Sequence, residues 1–337
     1  MNKEEIAKLR FGAKSALLPA DLHSSQIAFL FPGQGAQYPG MVKDFYDHFP
    51  IVREVFEEAE DLLSRTLSSL IFEGPAAELT LTKNSQLAIY VVSIAILRAL
   101  QEQFPDLKPS VCAGLSLGEY SALTAAKKLS FQEGLLLVQA RGEYMHDACI
   151  SNPGTMQVIL GLEADLVETI IKEINPPHPV WVANLNCPGQ VVIAGTLAGV
   201  EQAAIVLKQK GAKRALPLDV AGAFHSELMR EASTKLEPRI EAIEFVDSDI
   251  DLVMNVPGDY VGAIEDIRLH LVHQVTSPVR WESGIRSIEK KGVDFFLEIG
   301  CGKTLQGMNK RIGILAPTYS VEKLSDLEEF SNAAFKR

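Results

Sequence analysis

Apolar positions along this chain fall into two recurring patterns. Compact apolar runs, Ile27-Ala28-Phe29-Leu30-Phe31 first among them, have the length of strands buried on both faces. Between them lie longer segments with apolar residues at helical spacing, such as Phe45, Phe49, Val52 and Phe56. Leu87 to Leu100 predicts a long buried helix, stopped at Phe104-Pro105 because proline cannot continue it. Val111 to Gly114 predicts a second short strand, and Phe131 onward to Met145 another helix. Later in the chain, Ile250 to Val256 and Asp294 to Ile299 predict strands. Helices are expected over 227–235, 269–275, 285–289 and 303–311. Strands alternating with helices, with glycines and polar residues gathered at the strand ends, predict an α/β fold on a parallel sheet.

The pattern changes character at Asn152-Pro153-Gly154. Met156 to Leu160 predicts a strand and Ala164 to Ile174 a helix stopped by Pro176-Pro177. Two strands follow, Val180 to Asn186 and Gln190 to Ala194, joined through Cys187-Pro188-Gly189. A helix over Leu197 to Lys210 and a strand over Arg214 to Leu218 complete a β-α-β-β-α-β order, the ferredoxin-like arrangement. Residues 152–217 are therefore expected to form a small insert. The larger body is expected over 26–151 and 218–337, with residues 1–25 as an N-terminal arm of no assigned function.

The chain is organised around Val111-Cys112-Ala113-Gly114-Leu115-Ser116-Leu117-Gly118-Glu119-Tyr120. A short strand, Gly-x-Ser-x-Gly, then an Ala-rich helix is the layout of a nucleophile elbow, which exposes a serine on a tight strand-to-helix turn. A Cβ at either glycine would crowd the bend, and the helix N-terminus supplies free N–H groups near Ser116. The plainer alternative is a Gly-rich turn whose serine caps a helix.

Composition narrows the classes. The formal charge of −11 removes a general nucleic-acid binder, because no basic excess exists to neutralise phosphates. Four widely spaced cysteines form no zinc or CxxC pattern, and no metal site is expected. The apolar run Leu87 to Leu97 is too short to span a bilayer, and Met1 to Arg10 lacks the apolar core of a signal peptide. The expectation is a cytoplasmic, soluble protein, with nothing requiring more than a monomer.

A serine hydroxyl needs a base. Of seven histidines, His225 stands out in the small-residue loop Ala221-Gly222-Ala223-Phe224-His225-Ser226 ahead of a helix. Reaction at a carbonyl also needs donors for a developing oxyanion. Candidates are the N–H of Leu117, next after the serine, and that of Gln34 in the loop Gly33-Gln34-Gly35. That loop lacks the GxGxxG spacing and the GxxxxGK[ST] lysine of nucleotide sites. Arg141 lies on an otherwise apolar helix. It is either a surface ion pair with Glu143 or a bidentate clamp for a carboxylate.

Phe31-Pro32-Gly33-Gln34-Gly35-Ala36-Gln37, Gly114-Leu115-Ser116-Leu117-Gly118-Glu119-Tyr120, Gln139-Ala140-Arg141-Gly142 and Gly222-Ala223-Phe224-His225-Ser226 together resemble one family. It is the malonyl-CoA:acyl-carrier-protein transacylases of fatty-acid synthesis, related to polyketide acyltransferase domains. The resemblance runs from about Ile27 to about residue 318. It implies a large α/β-hydrolase-like subdomain with a parallel sheet plus the small ferredoxin-like insert. Ser116 would be the acyl-accepting nucleophile, His225 its base, and Gln34 and Leu117 the oxyanion donors. Arg141 would pair with the malonyl carboxylate. The main-chain carbonyl of Gln274 would orient the histidine. Arg214, Lys310 and Arg311 would meet the phosphates of CoA or of the carrier's phosphopantetheine.

The activity so implied is malonyl transfer from malonyl-CoA to the thiol of acyl carrier protein through a malonyl-serine, with no cofactor of the enzyme's own. A thioester hydrolase using water as acceptor, a trans-acting polyketide acyltransferase and a silent docking module are the competing readings. The carrier proteins of such pathways are acidic, so a local basic rim including Lys310 and Arg311 is expected to work against overall repulsion. Phe224 before His225 is similar to malonyl-selective members of the polyketide branch. Two positions depart from the family's pattern: Leu115 stands where a histidine is usual, and Cys301 where a proline is usual in a Gly-Pro-Gly turn.

Overall fold

The computed structural model describes residues 25–174 and 177–335. The arm expected over 1–25 therefore lies outside the described residues, except for Ser25. Ten strands form among them, β1 (Ile27–Phe31), β2 (Val111–Gly114), β3 (Thr155–Leu160), β4 (Val180–Cys187), β5 (Gln190–Gly195), β6 (Arg214–Pro217), β7 (Asp251–Met254), β8 (Asp259–Val261), β9 (Phe295–Ile299) and β10 (Thr318–Val321).

Six of these make one sheet in the order β10-β9-β1-β2-β7-β8, parallel except for β8, which runs antiparallel to β7. The all-apolar sequence of β1 follows from its place between β9 and β2, where all five of its residues are buried. Helix Thr82–Gln103 is buried along most of its length, so its apolar residues show little sidedness. The register Phe31↔Gly114 sets the loop after β1 beside the elbow after β2. The register Ala113↔Val253 brings the end of β7 to the elbow's other side. The carboxyl ends of three adjacent strands thus converge on Ser116, the usual place for a site in an open parallel sheet.

The other four strands form an antiparallel sheet in the order β4-β5-β3-β6. Helices Ala164–Ile174 and Leu197–Gln209 cover one face, where Ile159, Val182 and Ile193 pack against Val167, Ile170 and Leu207. Thr196 caps the second helix, its Oγ1 accepting the Gly199 N–H at 3.1 Å, a contact typically worth about 1 kcal/mol. Met156, Val192 and Ala194 join the core of the larger body instead. A single bridge, Asn184↔Val279, pins β4 to the segment that follows Gln274. The bridge carries two hydrogen bonds, Leu185 N–H to Val279 O and Val279 N–H to Ala183 O, each 2.8 Å.

Three expectations need correction. The strand expected over Ile250 to Val256 ends at Met254, because Asn255 turns its polar groups to the elbow rather than to the sheet. Strands β8 and β10 escaped sequence reading, being short edge segments of mixed composition. The helix expected over 285–289 extends over Trp281–Lys291, its charged residues forming an exposed face over the buried Ile285 and Ile288.

Candidate active site

Ser116 occupies the turn between β2 and helix Gly118–Ala125 with φ of 51°, a left-handed backbone that costs a side-chain-bearing residue of order 1–3 kcal/mol. The flanking glycines make the bend possible. A Cβ on Gly114 would lie 1.9 Å from the Gly118 carbonyl carbon, and one on Gly118 would lie 2.2 Å from the Phe31 oxygen. Asn255 holds the strained turn from the side: its Oδ1 accepts the Ser116 N–H and its Nδ2 donates to the Gly114 oxygen, both at 2.7 Å. One side-chain amide thereby satisfies both backbone groups of the bend.

His225 also has a left-handed backbone, φ 58°, and is the one buried histidine among the described residues. Its Nδ1 lies 2.8 Å from the Gln274 carbonyl oxygen, and its Nε2 lies 2.9 Å from Ser116 Oγ. The carbonyl can only accept, so Nδ1 carries the proton and Nε2 is left to accept from the serine. Burial, reinforced by the Arg141 charge, lowers the imidazole pKa to about 4 against the pull of the Gln274 carbonyl, so the ring is a neutral base at pH 7. No carboxylate orients it; a backbone oxygen does.

Arg141 is not at the surface and does not pair with Glu143. It is 1% exposed, buried beside Ser116. Its Nη1 donates to Gln86 Oε1 at 2.6 Å, and its Nη2 donates to Gln274 Oε1 at 2.8 Å and to Ser116 Oγ at 3.1 Å. The guanidinium lies over the Tyr120 ring, 5.5 Å from its centroid, and Nε has no partner among the described residues. A guanidinium keeps its charge even where burial lowers its pKa, so an unpartnered donor edge here is poised for an anion.

Gln274 is the hub. Its backbone oxygen holds His225, its Oε1 holds Arg141, and its Nε2 donates to the Ser116 carbonyl at 2.9 Å and to a Glu119 carboxyl oxygen. Glu119 is 1% exposed, and its other oxygen accepts the Asn255 N–H. Desolvation raises its pKa to about 8 against both hydrogen bonds and the Arg141 charge.

Leu117 follows Ser116 at the start of helix Gly118–Ala125, and Gln34 sits half-buried in the loop after β1. Among the described residues, no hydrogen bond uses the N–H of Leu117 or of Gln34. The Gln34 side chain reaches Thr82 Oγ1 at 3.4 Å, and the Leu115 N–H donates to the Phe31 oxygen at 3.0 Å, which joins loop and elbow. Leu115, in place of the family's histidine, packs half-buried against the apolar cluster that contains Leu30, Trp281 and Leu305. Cys301 is buried with its thiol pushed up to about 12, and neighbouring Gly300 rests against Pro32 of the Gln34 loop.

The three basic residues lie elsewhere. Lys310 and Arg311 are exposed on helix Thr304–Ile312, where Arg311 reaches Cys187 at the end of β4. Arg214 is exposed on β6, at the opposite edge of the small sheet. The pairings Arg214↔Leu160, Leu160↔Gln190 and Gln190↔Cys187 place it in the same row as Cys187, three strand spacings or about 14 Å away.

Sequence reading missed Asn255, Glu119, Gln86 and the side chain of Gln274. Asn255 is a polar residue at the end of an apolar run, which is a usable signal because a polar group at a core position must have a partner; Gln86 and Gln274 sit among polar neighbours that hide them. Beside the cavity, a cleft of about 220 Å³ lined by His225, Trp181, Pro278 and Arg280 opens between the small sheet and the larger body. Arg280 pairs with Glu168 across it at 3.2 Å. The described residues contain no cluster of side chains that could hold a metal, and no helix long and apolar enough to cross a membrane.

Comparison with known proteins identifies the family. The acyl transferase domain family matches residues 28–312. The malonyl CoA-acyl carrier protein transacylase of Bacillus subtilis (strain 168) is 45% identical over 305 residues, covering 90% of this chain and 96% of the relative. That of Haemophilus influenzae is 42% identical over 287 residues, covering 85% and 92%. A solved type II PKS acyl-carrier protein in complex with its malonyl-transacylase gives a TM-score of 0.87 at 40% identity, covering 93% of this chain and 99% of the solved one. The enzyme from Streptococcus pneumoniae gives 0.87 at 39% identity, covering 91% and 100%. The chain belongs to the acyl transferase domain family, within its group of malonyl CoA-acyl carrier protein transacylases.

Proposed function

We propose that this protein transfers the malonyl group of malonyl-CoA to the phosphopantetheine thiol of an acyl carrier protein, supplying extender units for fatty-acid synthesis. One observation carries the reading. Ser116 Oγ lies 2.9 Å from His225 Nε2 and 3.1 Å from Arg141 Nη2, so nucleophile, base and buried cation meet at one point. A hydrolase of neutral esters would have no use for a desolvated guanidinium beside its serine.

Ser116 attacks the thioester carbonyl as its proton passes to His225 Nε2, and the tetrahedral oxyanion forms against the N–H groups of Leu117 and Gln34. Collapse breaks the C–S bond, and the departing CoA sulfur takes the proton from His225. The carrier's thiol then gives its proton to His225 as its sulfur attacks the malonyl-Ser116 ester, and Ser116 recovers the proton as it leaves. Arg141 holds the malonyl carboxylate through its unpartnered edge. The reading uses no metal and no cofactor beyond the pantetheine carried by the partner, and it needs only one copy of the chain.

In this reading the α/β-hydrolase-like body spans 26–151 and 218–337, and the ferredoxin-like insert spans 152–217. The boundaries are supported by helix Phe131–Ser151 ending, and β6 ending, next to them. The basic residues Lys310, Arg311 and Arg214 would guide the CoA and carrier phosphates toward the cleft. Mass spectrometry after mixing with malonyl-CoA tests the proposal. A malonyl adduct on Ser116 that is discharged by holo carrier protein is expected. No adduct, or an adduct lost to water as fast without carrier, would overturn it.

A further inference from the structure

We propose that Glu119, held off Arg141 by the Gln274 amide, must carry a proton for a carboxylate-bearing acyl group to dock on the clamp, and takes one up from solvent wherever it is ionised beforehand. The inference rests on the malonyl-transfer reading and concerns the same cavity. Glu119 touches no reacting atom, so it acts as a positioning residue.

The geometry gives it this part. Arg141 is fully buried, yet its direct partners are the neutral oxygens of Gln86, Gln274 and Ser116 and the face of Tyr120. The charged groups facing Glu119 are few. Arg141 comes from helix Phe131–Ser151 and Tyr120 from its own helix, while His225, neutral, is held by the backbone oxygen of Gln274. Asn255 and Gln274 contribute only amides. Gln274 turns its carbonyl oxygen to Arg141 and its amino group to Glu119, so cation and anion polarise one amide from both ends without meeting. A bidentate contact between them is therefore missing, and the buried Nε of the guanidinium has no hydrogen-bond partner among the described residues.

A malonyl carboxylate on that edge makes two buried anions around one cation. Like charges sharing a site cannot both stay ionised cheaply, and the group already hardest to ionise gives way. Glu119 is that group, its burial holding its pKa near 8 before substrate arrives. The step is balanced by one solvent proton: the Glu119 carboxylate becomes a carboxylic acid, and net charge in the cavity stays at zero. The sign follows from linkage. Below pH about 8 Glu119 is largely neutral beforehand, and docking costs nothing extra. Above it, docking must draw a proton from solution, so affinity for malonyl-CoA falls as pH rises, by up to about tenfold per unit.

The test is single-turnover acylation of Ser116 by malonyl-CoA between pH 6.5 and 9.5, comparing wild type with Glu119→Gln. Ionisation of the released CoA affects both proteins equally. The half-saturating concentration of wild type should climb above pH about 8 relative to the variant, whose trend stays flat. Parallel trends in the two proteins would overturn the inference. A second readout needs no variant. Infrared difference spectra of wild type on malonyl loading at pH 8.5 should gain one protonated-carboxyl band, and its absence would also overturn it. Absence of any acylation would instead overturn the malonyl-transfer reading.

Discussion

The surroundings of Ser116 and the exposed basic residues Lys310, Arg311 and Arg214 both bear charge, and they are built on opposite terms. Around Ser116 the polar side chains are held by hydrogen bonds to one another and to the backbone. Arg141 donates to three oxygens, Gln274 bonds four groups, and Asn255 spans the bend. At the rim, Lys310, Arg311 and Arg214 are exposed, and Arg214 stands about 14 Å from the others' end of the sheet. A desolvated charge is decided by its partners, whereas an exposed one is felt mainly through the summed field. The proposed function assigns chemistry and selectivity to the first region and encounter to the second.

Removing Arg141 should break this contrast most severely. Arg141→Ala leaves the malonyl carboxylate facing a buried site with no cation, a loss of about 3–5 kcal/mol, or roughly 10²- to 10⁴-fold in acylation efficiency. The same variant should accept uncharged acyl-CoA thioesters at least as well as wild type. A panel of CoA thioesters with mass detection of acyl-Ser116 measures both arms, and unchanged malonyl preference would sink the clamp.

Asn255 comes next. Asn255→Ala strips the Ser116 N–H and the Gly114 carbonyl of their shared partner, and an unsatisfied buried group costs about 1–3 kcal/mol. The left-handed backbone of Ser116 also loses the contact that over-determines it. A lower melting temperature should therefore accompany slower acylation, with malonyl selectivity preserved because Arg141 keeps its own partners. A variant as stable and as fast as wild type would show that the glycines alone shape the elbow.

The two regions also differed in how far the sequence announced them. The parallel sheet was legible because strands such as Ile27–Phe31, buried on both faces, leave continuous apolar runs. The elbow, His225 and Arg141 were legible because each is a chemistry-bearing residue in a small-residue or apolar setting. The oxygen of Gln274 was placed only through family resemblance, since any residue can offer a main-chain carbonyl. Glu119 and Asn255 lie in plain view in the sequence, but their partner is each other across 136 residues, a distance no local pattern spans. Strands β8 and β10 were missed because edge strands carry neither an apolar run nor clean alternation.

The rim should respond least, and its response should depend on salt as the cavity's does not. An exposed ionic contact is typically worth about 0.2–1 kcal/mol, so reversing two charges in Lys310→Glu with Arg311→Glu should raise the KM for an acidic carrier by several-fold, to about tenfold. The chain's own charge of −11 repels such a partner, so loss of the basic residues at this edge should be felt most at low salt. The penalty should shrink as salt shortens the Debye length from about 10 Å at 0.1 M to about 3 Å at 1 M, whereas the Arg141→Ala defect persists. Arg214→Glu, about 14 Å along the row, lies beyond the roughly 8 Å screening length at physiological salt, so its effect should add to that of the pair rather than multiply through it. Transfer rates to holo carrier protein across a salt series separate these outcomes. Charge reversal that left KM unchanged at low salt would move the encounter surface away from this edge, leaving the cavity's chemistry untouched.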